Sequence, residues 1–157
     1  MLRALVKSFG YSKVVICILT LLLSVQCANF GKKGVTSDNL VRPLKSLRKA
    51  VYYGLQNKVK NKSQNGRTYF SEHHRPGTNL NVSAYKHPER AQVIVSILGD
   101  RRPYQILVIY KIDKLRGGKY SLSRYDKSLA KKYLERMEAY LASRPEERDI
   151  IDDFRPY

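Results

Sequence analysis

The chain has 157 residues, with 30 Lys and Arg against 13 Asp and Glu, and a formal net charge of +17. That length supports one ordinary domain with a single core. Two cysteines, Cys17 and Cys27, both in the first 27 residues, exclude a disulfide framework and a multi-thiolate metal site in the remainder.

The N-terminal segment reads as an export signal. Arg3, Lys7 and Lys13 precede the apolar stretch Val14–Val25. Its 12 residues suit a signal-peptide core and fall short of the roughly 20 needed for a spanning helix. Leu23-Ser24-Val25-Gln26-Cys27 resembles a bacterial lipoprotein signal, which implies a lipidated Cys27 as the first mature residue. It departs from that pattern at Ser24 and at Gln26. Cleavage before Ala28, or retention as an anchor, are the alternatives. The expected organisation is a signal at 1–27, a flexible spacer at 28–39 containing Gly31, Lys32, Lys33 and Gly34, and a single basic domain over 40–157.

Leu44, Leu47, Val51 and Leu55 recur at helical spacing behind Pro43, which fits only a first turn. The polar run Asn57–Arg67 ends on the turn signal Asn65-Gly66, and Thr68–Ser71 has strand composition. Residues 73–88 read as a long loop, with Val82 and Tyr85 as candidates for a short strand inside it. Ala91–Leu98, Tyr104–Asp113 and Tyr120–Tyr125 alternate as strands, separated by turns at Gly99–Pro103 and Gly117-Gly118. Leu107 and Ile109 add an apolar second face to the middle strand, as expected of an inner strand. Asp126 or Ser128 can cap a last helix with the stripe Leu129, Ala130, Tyr133, Leu134, Met137, Tyr140 and Leu141. Pro145 stops it. A short helix through Glu146, Glu147 and Asp149 and docking of Ile150, Ile151 and Phe154 are expected beyond. The fold class is α+β: a two-layer sandwich of an N-terminal helix, a three- to four-stranded antiparallel meander and a C-terminal helix.

No phosphate-binding loop, dinucleotide fingerprint or nucleophile elbow is present. Residues 32–125 hold 20 basic residues against 5 acidic ones, so the cationic field lies ahead of the last helix. Such a field attracts lipid headgroups, glycans, nucleic acid or acidic proteins. Arg101, Arg102, Tyr104, Lys111, Lys119 and Arg124 interleave cations with tyrosines near the strands and are the candidate binding residues. The expected function is that of an exported, envelope-associated, non-enzymatic binding module for an anionic partner, with no cofactor.

A second class rests on Glu72, His73, His74, His87 and Arg90. Metal-independent nucleases need a base, an acid and a cation to stabilise phosphoryl charge, and these residue types supply all three. Asn65-Gly66-Arg67-Thr68-Tyr69-Phe70 resembles the start of the sheet in small secreted microbial ribonucleases, which implies a secreted nuclease or toxin. No histidine follows His87, where those enzymes carry a late catalytic one. The histidines are also zinc ligand types, although adjacent ones on a strand point to opposite faces.

Overall fold

A chain whose longest apolar alternations sit side by side in sequence can pair them with short turns, and this one does. The computed structural model describes residues 33–81, 83 and 87–144. They belong to a compact unit that begins at Lys33. The element order is β1 (Val35–Thr36), α1 (Leu44–Gly54), β2 (Val59–Lys62), β3 (Thr68–Ser71), β4 (Glu89–Leu98), β5 (Gln105–Arg116), β6 (Lys119–Tyr125) and α2 (Lys127–Ala142). The fold is α+β, with a six-stranded antiparallel sheet and two helices.

β2 to β6 pair consecutively as a meander. β4 and β5 pair along their whole length, from Glu89 opposite Lys114 to Leu98 opposite Gln105. On its other side β5 pairs with two strands in turn. β1 takes Leu107 and Val108, and β6 takes Lys111 to Arg116. β5 is therefore an inner strand. Its apolar second face is buried too, at Leu107 and Ile109.

Alternation decides what goes inside. Ala91, Val93, Val95 and Ile97 from β4 and Ile106, Val108, Tyr110 and Ile112 from β5 form one core with the helices. α1 contributes Leu47, Ala50 and Val51, and α2 contributes Ala130, Tyr133, Leu134, Met137 and Leu141. Each aliphatic side chain buried there is worth about 1.5–3 kcal/mol, against about 0–1 kcal/mol for an exposed ion pair. Packing, not surface charge, holds the fold.

Both helix starts follow local chemistry. Pro43 occupies the N-cap of α1. At α2 the Asp126 carboxylate accepts a hydrogen bond from the Leu129 amide at 3.0 Å, a cap worth about 1 kcal/mol. The two glycines of the β5–β6 turn have φ of 55° and 78°. A two-residue hairpin turn of this twist needs both residues in the left-handed region.

Two strands depart from the sequence expectation. β1 lies within the stretch expected to be a spacer, and backbone bonds fix the chain around it: the Ser37 amide donates to Ile106 O at 2.9 Å and the Leu40 amide to Tyr104 O at 2.7 Å. β2 lies inside the polar run after α1. The chain reverses into it through Gln56 and Asn57, with φ of 50° and 59°. The meander is also longer than three or four strands. The signal at 1–27 with Cys27, residues 28–32, Val82 and Tyr85, and the segment from Pro145 with Ile150, Ile151 and Phe154 lie outside the described residues.

The helices meet at Gly54. A Cβ there would lie 2.4 Å from Met137 Cγ and 2.7 Å from Met137 Cε, and Met137 is fully buried. Gly54→Ala gains about 1 kcal/mol of helix propensity but overpacks the contact, which costs about 1–3 kcal/mol. Urea denaturation should show a net loss of stability. A gain would mean that Met137 has room to move.

Candidate functional site

Strand alternation separates the histidines. His74 is fully buried. Its amide donates to Ala91 O at 3.0 Å and its carbonyl accepts from the Ala91 amide at 2.8 Å, which stitches the loop to the start of β4. Its ring lies against Tyr110, with Nε2 3.0 Å from the Tyr110 hydroxyl and Nδ1 3.4 Å from Glu72 O. A carbonyl oxygen only accepts, so Nδ1 carries the proton and Nε2 is the acceptor. The Tyr110 hydroxyl then donates to Nε2, while its oxygen accepts from the Gly77 amide at 3.3 Å. Burial pushes the His74 pKa below its ordinary value of 6.5, which favours this neutral form.

His73 and Arg90 share different surroundings. Burial, then the charges of Arg90 and Lys60, lower the His73 pKa. Arg90 Nε is 3.4 Å from Asp113 Oδ2, Lys111 Nζ is 3.1 Å from Asp113 Oδ1, and the Arg90 guanidinium lies 4.0 Å from the Tyr120 ring centre. The Asp113 carboxylate is buried and offsets one of these two positive charges. His87 sits at the start of β4, its Nδ1 2.6 Å from Glu89 O, with its carbonyl accepting from the Tyr120 hydroxyl at 2.7 Å. The side chain of Glu72 belongs to an exposed residue. The candidate catalytic set therefore divides into a buried histidine, a half-buried His73 near Arg90, and a backbone-bound His87. Among the described residues no group of three or more His, Cys, Asp and Glu side chains is placed to hold a metal ion.

The candidate binding residues divide as well. Arg101, Arg102 and Tyr104 lie in the β4–β5 connection, at the opposite end of β5 from the β5–β6 turn. Tyr104 is buried, with the Arg67 guanidinium 5.9 Å from its ring centre. Lys111 serves Asp113. Arg124 faces Glu89 through two contacts of 3.4 Å. Lys119 is exposed beside the turn.

The β5–β6 hairpin gathers more than sequence reasoning assigned to it. Lys114 and Arg116 join Lys119 on one side, in register with Ser121 and with each other. Leu115 opposite Tyr120 and Leu122 opposite Asp113 occupy the other side. Leu115 and Leu122 are 38% and 48% exposed, so this apolar side is not closed over. No acidic residue lies between Lys114 and Tyr125. Comparison with protein-family models, curated proteins and solved structures finds no match to the chain.

The buried imidazole makes stability depend on pH. The folded state resists protonation of His74, so the unfolded state binds more protons below pH 6.5. Stability should be complete above that pH and fall as the pH drops through it towards the depressed folded value. Each unit of depression costs up to about 1.4 kcal/mol. His74→Gln, which keeps an acceptor for Tyr110, should flatten the slope between about pH 5 and 6.5. An unchanged slope would show that His74 is not held neutral.

Proposed function

We propose that this is an exported binding module without catalytic activity, held at the cell envelope or released, whose partner is a polyanion. The observation that supports this best is the β5–β6 hairpin. Lys114, Arg116 and Lys119 are exposed there without an ion-pair partner among the described residues. Nearby carboxylates are already engaged, Asp113 by Arg90 and Lys111, and Glu89 by Arg124. A hairpin of this kind offers fixed cations with nothing to displace. An anionic glycan, an anionic lipid surface, nucleic acid or an acidic protein would each meet the same charges.

The sandwich expected from the sequence, with both helices covering one side of the sheet, would leave the hairpin's apolar side open to that partner. The fate of the N-terminus is part of the same reading: a lipidated Cys27 would tether the module, since two or more chains suffice for stable anchoring. For the nuclease alternative, one residue of its set, His74, is buried and bonded to Tyr110, which leaves His73 and His87 to supply the acid and base.

Two measurements test the proposal. Affinity for heparin and for single-stranded RNA should fall steeply with salt, and the triple variant Lys114→Gln, Arg116→Gln, Lys119→Gln should bind RNA with a salt slope shallower by up to about 0.7 per lost phosphate contact. Equal slopes for the two proteins would remove the hairpin from the interface. The intact mass of the mature protein from its native host should show either an acylated Cys27 or a chain starting at Ala28. A full-length mass beginning at Met1 would refute processing.

A further inference from the structure

A second cationic feature lies away from the hairpin and shares no residue with it. α2 presents Leu129, Lys132, Tyr133 and Arg136 at spacings of three, four and seven residues, so all four lie on one helix face. Opposite them runs the loop Gly77-Thr78-Asn79, and Tyr110 lies between. Together they enclose a pocket of about 130 Å³. Drug-sized ligands occupy clefts of about 300–1,000 Å³. The space is smaller than such clefts, and a small head group fills it more completely than a nucleobase or a sugar ring does.

The chemistry of the lining selects the charge of that group. No carboxylate lines the pocket. Lys132 and Arg136 are exposed residues without an ion-pair partner among the described residues, and Arg136 leans on the Tyr133 ring at 5.6 Å. Burial pushes the Tyr133 pKa up to about 12, so its hydroxyl keeps its proton and can donate. The Tyr110 hydroxyl proton is committed to His74, and the Gly77 amide to Tyr110. These bonds fix the floor of the pocket and the loop beside it before any ligand arrives, which lowers the ordering cost of binding.

We infer that this pocket binds one tetrahedral oxyanion, a phosphate or sulfate group, between Lys132, Arg136 and Tyr133. Two cations one helical turn apart share the charge of the group, and the tyrosine supplies a neutral donor at its base. The inference stands whether or not the hairpin is the polyanion contact. The group can be a free ion or the terminus of a larger ligand.

Amide NMR spectra of the full chain, titrated with inorganic phosphate, sodium sulfate and a phosphate monoester in a zwitterionic buffer, test it. Saturable shifts are expected at Gly77, Thr78 and Asn79 and along 129–136, with half-saturation in the millimolar range. Lys132→Gln with Arg136→Gln should weaken that affinity at least tenfold with the rest of the spectrum unchanged. Tyr133→Phe, which removes only the hydroxyl, should weaken it less. Saturation by the free ions assigns a free-ion site, and saturation by the monoester alone assigns the group to a larger ligand. Shifts that fail to saturate with any of the three, or that persist in the double variant, would overturn the inference. So would their loss in Lys114→Gln with Arg116→Gln, because the hairpin would then be capturing the ion.

Discussion

Ten consecutive residue pairs between β4 and β5 carry the fold. Their odd-numbered β4 residues and even-numbered β5 residues share one apolar core with residues of both helices. The pairing works because its register is strongly specified. A slip of β4 by one residue would expose Val93 and Val95 and turn Arg90 and Gln92 inward. β5 then organises the rest of the molecule. It outruns β4 at one end as the hairpin with β6, and it accepts β1 near its other end. The cationic hairpin is an extension of the core strand, so its charges project from the most firmly held element of the chain.

That same pairing determines what the histidines can do. Ala91 bonds the His74 backbone in both directions, which forces one imidazole inward and its neighbour His73 outward. The inward ring is tolerated because every polar atom finds a partner: Nδ1 the Glu72 carbonyl, Nε2 the Tyr110 hydroxyl. A buried polar pair of this kind costs little when satisfied and a good deal when broken. It also holds the Tyr110 hydroxyl and Gly77 in place beside α2. His74 therefore holds in place the Tyr110 side chain that lines the pocket.

Legibility followed the range of the interaction. Thr68–Ser71 coincides with β3, and the three later strands and α2 lie within a few residues of where alternation and capping put them, because burial on one face writes its period into the sequence. β1 left no such trace. Two residues, Val35 and Thr36, are held by backbone bonds to a strand some seventy positions away, and backbone groups carry no sequence pattern. β2 is the polar run Val-Lys-Asn-Lys at the sheet edge, where its side chains face water and none but Val59 packs on the core. Edge strands favour such charged residues, so the features that suit the position also hide it. The basic hairpin was legible in part: Lys119 and Arg124 stood out beside tyrosines, while Lys114 and Arg116 required the register. The pocket was not legible, since it needs a loop at 77–79 brought against a helix fifty residues later.

Charge accounting explains why cations remain at the surface. Acidic residues within the described domain are largely committed to internal work. Asp113 is buried between Arg90 and Lys111, Glu89 meets Arg124, Asp100 lies 3.7 Å from Arg67, Glu135 pairs with Lys131, and Asp126 caps α2. With few acids and most of them placed beside a structural partner, the excess cations cannot be neutralised within the chain. The Gly-Gly hairpin and the α2 face at the loop 77–79 are two of the places where they remain. Both positions sit on elements anchored by the β4–β5 core. A rigid arrangement of unneutralised charge adds nothing to stability, since like charges repel. Under the proposed function, its use is the counter-charge that a partner outside the chain would supply.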